Sequence, residues 1–181
     1  KCCHFFDLMR LALGSDPVRV MATGGQALNH LDEVHDGRTP DIFDHGYVAV
    51  DFADGTRAML ELCMFAEGSR WQEEISAVGP RGKIEAFVPG PTRFWPAHLG
   101  DPPVAQVVVS PREPRGPQVH VIPVLDAGDH NGSTFYQHRG FLELVRGQRD
   151  RPDVSVEDGI WAVRMGLAAQ TAMIERRVVE L

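Results

Sequence analysis

Apolar residues recur at three- and four-residue steps at Phe5, Leu8, Met9, Ala12 and Leu13, the spacing of an amphipathic helix. Gly14 is placed to cap that helix, with Pro17 just beyond. Val18, Val20 and Ala22 then alternate with Arg19, Met21 and Thr23, the period of a strand, until Gly24-Gly25 breaks it. The stretch from Gln26 to His45 is polar, carries Asp36-Gly37 and Pro40, and reads as a mobile loop. Residues 47–52 and 57–65 are alternating runs joined by Ala53-Asp54-Gly55-Thr56, and Asp-Gly between such runs signals a hairpin. Residues 73–78 and 83–88 flank Gly79-Pro80-Arg81-Gly82 and predict a second hairpin.

Nine of the 13 prolines fall between Pro89 and Pro123, so that segment reads as a surface excursion carrying two short strands, 106–109 and 119–124. Two helices close the chain. Thr134 with Gln137 has the spacing of a capping box ahead of Phe135, Phe141, Leu142 and Val145. Ser155 with Asp158 does the same ahead of a broadly apolar helix that runs to about Arg176 and is expected to pack on the sheet. Hairpins between helices, with no regular strand-helix-strand alternation, predict an α+β fold: an open, mainly antiparallel sheet with helices packed on one face.

Composition narrows the function classes. At 181 residues the chain is long enough for a real hydrophobic core, and 43% apolar with 24% charged residues is the balance of a folded protein. The formal charge of −7 argues against a nucleic-acid partner, whose phosphates need a basic surface. No apolar run approaches the roughly 18 to 20 residues of a membrane span. Three cysteines, two of them adjacent, make a poor disulfide framework and suit a reducing cytosol, so a cytoplasmic location is expected. The N-terminus, without an initiator Met or a signal-peptide pattern, reads as a cut end.

The sharpest chemical feature is His4 with Asp7, three residues apart and therefore on one helix face. An imidazole can trade a proton near neutrality while a carboxylate orients it or holds a substrate hydroxyl. A solvated ion pair on a helix surface fits the same spacing. Lys1 extends the face and offers a cation for a developing alkoxide, or is a frayed terminus. His130, Tyr136 and His138 gather around the start of a helix fed by a glycine-bearing loop, an arrangement that binds a polar hydroxyl or serves only as a capped turn. Trp71 beside Glu73 can line a sugar pocket or a strand edge. Cys2-Cys3-His4 lacks zinc spacing, and no metal is expected; a metal-dependent enzyme using His4 and the His130 group is the weakest reading. No Gly-x-Gly-x-x-Gly follows any strand, so no nucleotide-binding domain is visible in the chain.

Four segments together carry a resemblance: Lys1-Cys2-Cys3-His4-Phe5-Phe6-Asp7-Leu8-Met9-Arg10, Gly79-Pro80-Arg81-Gly82-Lys83-Ile84-Glu85, Gly132-Ser133-Thr134-Phe135-Tyr136-Gln137-His138 and Val156-Glu157-Asp158-Gly159-Ile160-Trp161-Ala162-Val163. In order and spacing they resemble the C-terminal domain of the glucose-fructose oxidoreductase and inositol dehydrogenase (Gfo/Idh/MocA) family. The resemblance implies a single substrate-binding and oligomerising domain over 1–181, with the N-terminal dinucleotide-binding domain absent. It implies a sugar, cyclitol or related polyol substrate, NAD or NADP in the intact enzyme with none bound to this chain alone, and a homodimer or homotetramer formed through the open sheet face. In the family's His-x-x-Asp motif the histidine relays the hydroxyl proton, which falls on His4, and the aspartate helps hold the pocket, which falls on Asp7. Lys1 joins these as a catalytic candidate, with Trp71, Glu73, His130, Tyr136 and His138 as substrate contacts. The family's catalytic lysine belongs to the other domain, and its acidic position four residues before the histidine falls ahead of Lys1. The alternative is a stand-alone sugar-binding or assembly module without redox activity.

Overall fold

The apolar stripe of the first helix finds its partner across the chain rather than beside it. In the computed structural model, which describes residues 2–124 and 130–181, α1 (Cys3–Leu13) buries Phe6 and packs Met9 and Leu13 against a core supplied by two strands and the long last helix. Gly14 closes α1 in the left-handed region (φ 64°), its N–H donating to the Arg10 carbonyl at 2.8 Å. The remaining elements are β1 (Pro17–Gly25), β2 (His45–Phe52), β3 (Arg57–Cys63), β4 (Glu73–Gly79), β5 (Gly82–Val88), β6 (Gln106–Pro111), β7 (Gln118–Val121), α2 (Ser133–Val145), α3 (Val156–Glu175) and β8 (Val179–Glu180). Among the described residues every strand pairing is antiparallel, as the hairpin signals require, but the strands are divided between two four-stranded sheets, ordered β3-β2-β1-β8 and β4-β5-β6-β7.

The chain forms two units, Lys1–Ala66 with Asp153–Leu181 and Glu67–Pro152. In the first, Val20, Val48, Val50 and Phe52 point to one face of the sheet and meet Phe6 of α1 and Ala162, Met165, Ala168 and Ala169 of α3. Small residues on α3 let the helix lie close to the strands; Met165 is fully buried. The opposite face stays open, carrying Met21, Tyr47 and Met59 in cross-strand register with Thr23, Ala49 and Glu61. The capping box of α3 forms as its sequence predicts. Ser155 Oγ accepts from the Asp158 N–H at 3.1 Å, and Asp158 Oδ2 accepts from the Ser155 N–H at 2.9 Å. The two-residue strand β8 had no periodic signal to betray it; it pairs with Arg19 and Val20 once α3 has returned the chain to the sheet.

In the second unit, β4 and β5 meet across Pro80-Arg81, with Gly82 at φ 146° where a side chain would strike the Ser110 carbonyl. The Pro-rich excursion contains two 3-10 turns, Thr92–Phe94 and Ala97–Leu99, before β6 and β7 complete the sheet. The capping box expected at Thr134 and Gln137 does not form. His130, Asn131 and Gly132 all take positive φ, α2 begins at Ser133 with Gly132 as its cap, and Thr134 therefore lies inside the first turn rather than at the cap. No helix among the described residues is long and apolar enough to cross a membrane.

Candidate functional site

His4 and Asp7 lie on one stripe of α1 that continues through Leu11, as their spacing requires, and no hydrogen bond joins the pair. His4 is exposed on the first turn. Asp7 is half-buried and lines an open cleft of about 560 Å³ with Arg10, Leu11, Asp16, Asp153 and Asp158. The Arg10 guanidinium is shared there by Asp16, at 2.8 Å, and Asp158, and it rests 5.9 Å from the centre of the Trp161 ring. The Asp16 hydrogen bond leads the effects that hold the Arg10 charge more tightly than usual. With four aspartates around a single paired cation the cleft repels anions and offers acceptors to neutral hydroxyl groups. Lys1 lies outside the described residues.

The other expected contacts belong to the second unit. Glu73 opens β4 opposite Val88, and Gln72 N–H donates to the Val88 carbonyl at 2.8 Å. Trp71 packs its ring 5.5 Å from that of Phe87 on β5, beneath the Arg70 guanidinium at 5.2 Å. The Asn131 side-chain amide donates to the Pro89 carbonyl at 3.3 Å, which brings the turn holding His130 to the same corner as Trp71 and Glu73. Tyr136 stands edge-on to Phe135 with Arg139 5.0 Å above it. His138, two residues on, projects from a different side of α2, so the structure does not bring these two together. Among the described residues no three His, Cys, Asp or Glu side chains stand close enough to share a metal ion.

One constellation escaped the sequence reading. Gln26–His45 was expected to be a mobile loop, yet Asp44 within it is wholly buried and clamps its base. The Asp44 carboxylate accepts backbone N–H bonds from Ala27 (2.9 Å), Leu28 (2.8 Å) and Asn29 (2.9 Å) and a bond from His45 Nδ1 (2.9 Å). Burial opposes its ionisation, but the His45 ring and the three N–H groups outweigh that and hold the carboxyl well below the usual carboxylate range. The Asn29 amide donates to the Met64 carbonyl at 2.9 Å and closes the loop on the end of β3. An aspartate just before an alternating strand was the available signal, though short polar residues there serve turns as often as clamps.

Comparison with known proteins gives this geometry its context. The model of an oxidoreductase family, its C-terminal alpha/beta domain, matches residues 1–181. Similar solved structures include an aldose-aldose oxidoreductase from Caulobacter crescentus complexed with glycerol, at 18% identity and a TM-score of 0.66 over 99% of this chain and 45% of that one. An oxidoreductase from Agrobacterium radiobacter in complex with NAD+, L-tartaric acid and magnesium superposes at 16% identity and a TM-score of 0.69, covering 98% and 47%. The WlbA dehydrogenase from Chromobacterium violaceum, in complex with NADH and UDP-GlcNAcA, does so at 15% identity and a TM-score of 0.63, covering 99% and 44%. The chain thus spans a little under half the length of each of these proteins, and no curated protein sequence matches it. The full-length match of the family model and the shared fold place this chain in the Gfo/Idh/MocA oxidoreductase family, as its C-terminal α/β domain.

Proposed function

We propose that this chain is the substrate-binding and oligomerising part of an NAD(P)-dependent oxidoreductase acting on a sugar, cyclitol or related polyol. The observation that carries the reading is the His4–Asp7 stripe on α1, with Asp7 turned into a cleft suited to neutral hydroxyl groups. In the reaction His4 accepts the proton of the substrate hydroxyl through its exposed ring as the alcohol becomes a carbonyl, whose carbon-bound hydrogen would leave as hydride to the nicotinamide cofactor of the intact enzyme, and His4 returns the proton in the reverse direction. Asp7 holds the substrate by accepting from a neighbouring hydroxyl.

The described residues do not fit a dinucleotide. Both sheets are antiparallel throughout, and Gly24-Gly25 leads into the loop clamped by Asp44 rather than into a helix N-terminus. The proposed reading assigns the nicotinamide cofactor to a dinucleotide-binding part of the intact enzyme. Self-association through the open face of the first sheet completes the reading. Met21, Ala49 and Met59 form an apolar row there, beside the Arg19–Asp51–Arg57 ion cluster, and a second copy supplies the same mixture of apolar and oppositely charged groups.

The test is NAD+ reduction by the full-length gene product against a panel of sugars and inositols, with a His4→Ala copy. Loss of about 10² or more in kcat with KM little changed is expected. Unchanged kcat removes His4 from the mechanism, and absence of both turnover and cofactor binding leaves the stand-alone binding module.

A further inference from the structure

The proton chemistry assigned to His4 leaves unused the one buried charged side chain among the described residues, Asp44, and the histidine it holds. An ionised carboxylate can only accept hydrogen bonds, so the 2.9 Å contact to His45 Nδ1 requires the proton to be on Nδ1. In its neutral form the ring is then locked in a single tautomer, with its lone pair on Nε2. Three backbone N–H groups already satisfy Asp44, so the clamp on the loop does not depend on the imidazole.

The surroundings of that lone pair are half apolar and open. The His45 side chain is 40% exposed, and nothing in the described chain bonds to Nε2. Its ring lies beside Gly25, where a Cβ would sit 3.4 Å from Cε1 and 3.8 Å from Nε2, and Phe65 approaches edge-on with ring centres 6.1 Å apart. A fixed acceptor beside an aromatic ring is the chemistry that recognises a polyol, whose hydroxyls donate while its C–H faces lie on the ring.

We propose that His45, oriented by Asp44, is a second hydroxyl-binding position: Nε2 accepts a hydrogen bond from a polyol whose carbon face rests on Phe65. The inference rests on the reading of the ligand as a polyol, and not on the redox chemistry assigned to His4. Asp44 is here a positioning residue.

The experiment is an NMR titration of the 15N-labelled chain with myo-inositol, glucose and glycerol in turn, reading the histidine side-chain nitrogens and the Phe65 amide. Before ligand, His45 should show a protonated Nδ1 and a bare Nε2. On titration with at least one polyol, His45 Nε2 and Phe65 should shift saturably. The affinity read at Phe65 should fall about tenfold in His45→Ala, the loss of one hydrogen bond. His45→Gln, which keeps an acceptor, should restore part of it and controls for folding. Absence of a saturable response at His45 with all three polyols overturns the proposal, as does equal affinity in His45→Ala. A response confined to His4 overturns it while leaving the proposed function standing; a response at His45 without turnover in the full-length protein does the reverse.

Discussion

Gly24 and Gly46 are cross-strand partners on the covered face of the first sheet, and α3 rests Met173 on them. A Cβ on Gly24 would sit 2.5 Å from the His45 carbonyl oxygen, 3.0 Å from Gly46 Cα and 3.2 Å from Met173 Sδ. Sulfur at the end of a methionine can swing away, but the carbonyl belongs to the β1–β2 ladder and can move only with its strand. Gly24→Ala therefore carries an overpacking cost of about 1–3 kcal/mol, offset by the roughly 0.5–1 kcal/mol that alanine gains over glycine inside a strand. The expected outcome is a net loss of about 1–2 kcal/mol, or a drop of roughly 2–8 °C in Tm for a chain of this size. Urea denaturation with an unchanged m-value is the assay.

Gly166 supplies the contrast, because a Cβ there meets only the Phe6 ring, at 3.7 and 3.9 Å, in ordinary contact. Gly166→Ala should stabilise the protein by about 0.5–1 kcal/mol through helix propensity. Gly24→Ala placed in a Met173→Ala background must remain less stable than Met173→Ala alone, since the carbonyl clash persists. If Gly24→Ala is as stable as the parent, or if truncating Met173 fully rescues it, the reasoning from backbone contact is wrong.

The α3 capping box predicts that Ser155→Ala costs about 1 kcal/mol, read as a Tm loss of roughly 2–4 °C. Asp44, Asp51, Asp54 and Asp158 all have carboxyls held below their ordinary values. At Asp44 burial is outweighed by His45 and the loop N–H groups; Arg19 leads at Asp51, Thr56 at Asp54 and Ser155 at Asp158. Their stabilisation is complete above the unfolded value of about 4 and is lost as pH falls through the folded values, so Tm should drop steeply below about pH 4. A Tm flat from pH 5 to 2 would contradict this. Met59 is 68% exposed on the open sheet face, and Met59→Glu should shift any self-associated form towards monomer in light scattering while leaving the circular dichroism spectrum unchanged.

Legibility in the sequence followed the physics of each element. Helix α1, both hairpins and the cap of α3 are set by local rules, which is why periodicity, Asp54-Gly55 and the Ser155–Asp158 spacing located them. The division of the strands into two sheets is set by pairing between distant segments, which alternation cannot register. At α2 a local rule misled, because three successive positive-φ residues moved the helix start and left Thr134 past the cap. The His4–Asp7 stripe was legible because i and i+3 share a helix face whatever the fold. Asp44 was not, since its role exists only once Ala27, Leu28 and Asn29 have folded back over a distance of 15 to 17 residues.

The glycine pair and the Asp44 clamp belong to one device. Asp44 is tied into the sheet end by its own N–H donating to the Gly25 carbonyl at 2.9 Å and by its carbonyl accepting from the Met64 N–H at 2.8 Å. Those bonds need β1 and β2 to stay in close register at Gly24 and Gly46, the position where only two glycines admit Met173 between strand and helix. A carboxylate buried without its donors is costly, so a small displacement of the strand ends should loosen the whole loop rather than one bond. Gly24→Ala should therefore speed amide exchange at Ala27, Leu28 and Asn29 as well as lowering Tm, whereas Ser155→Ala, of similar cost, should leave those three amides no faster than its global loss dictates. Equal effects of the two variants on the loop would separate the clamp from the glycine pair and leave the order of this loop to its own hydrogen bonds.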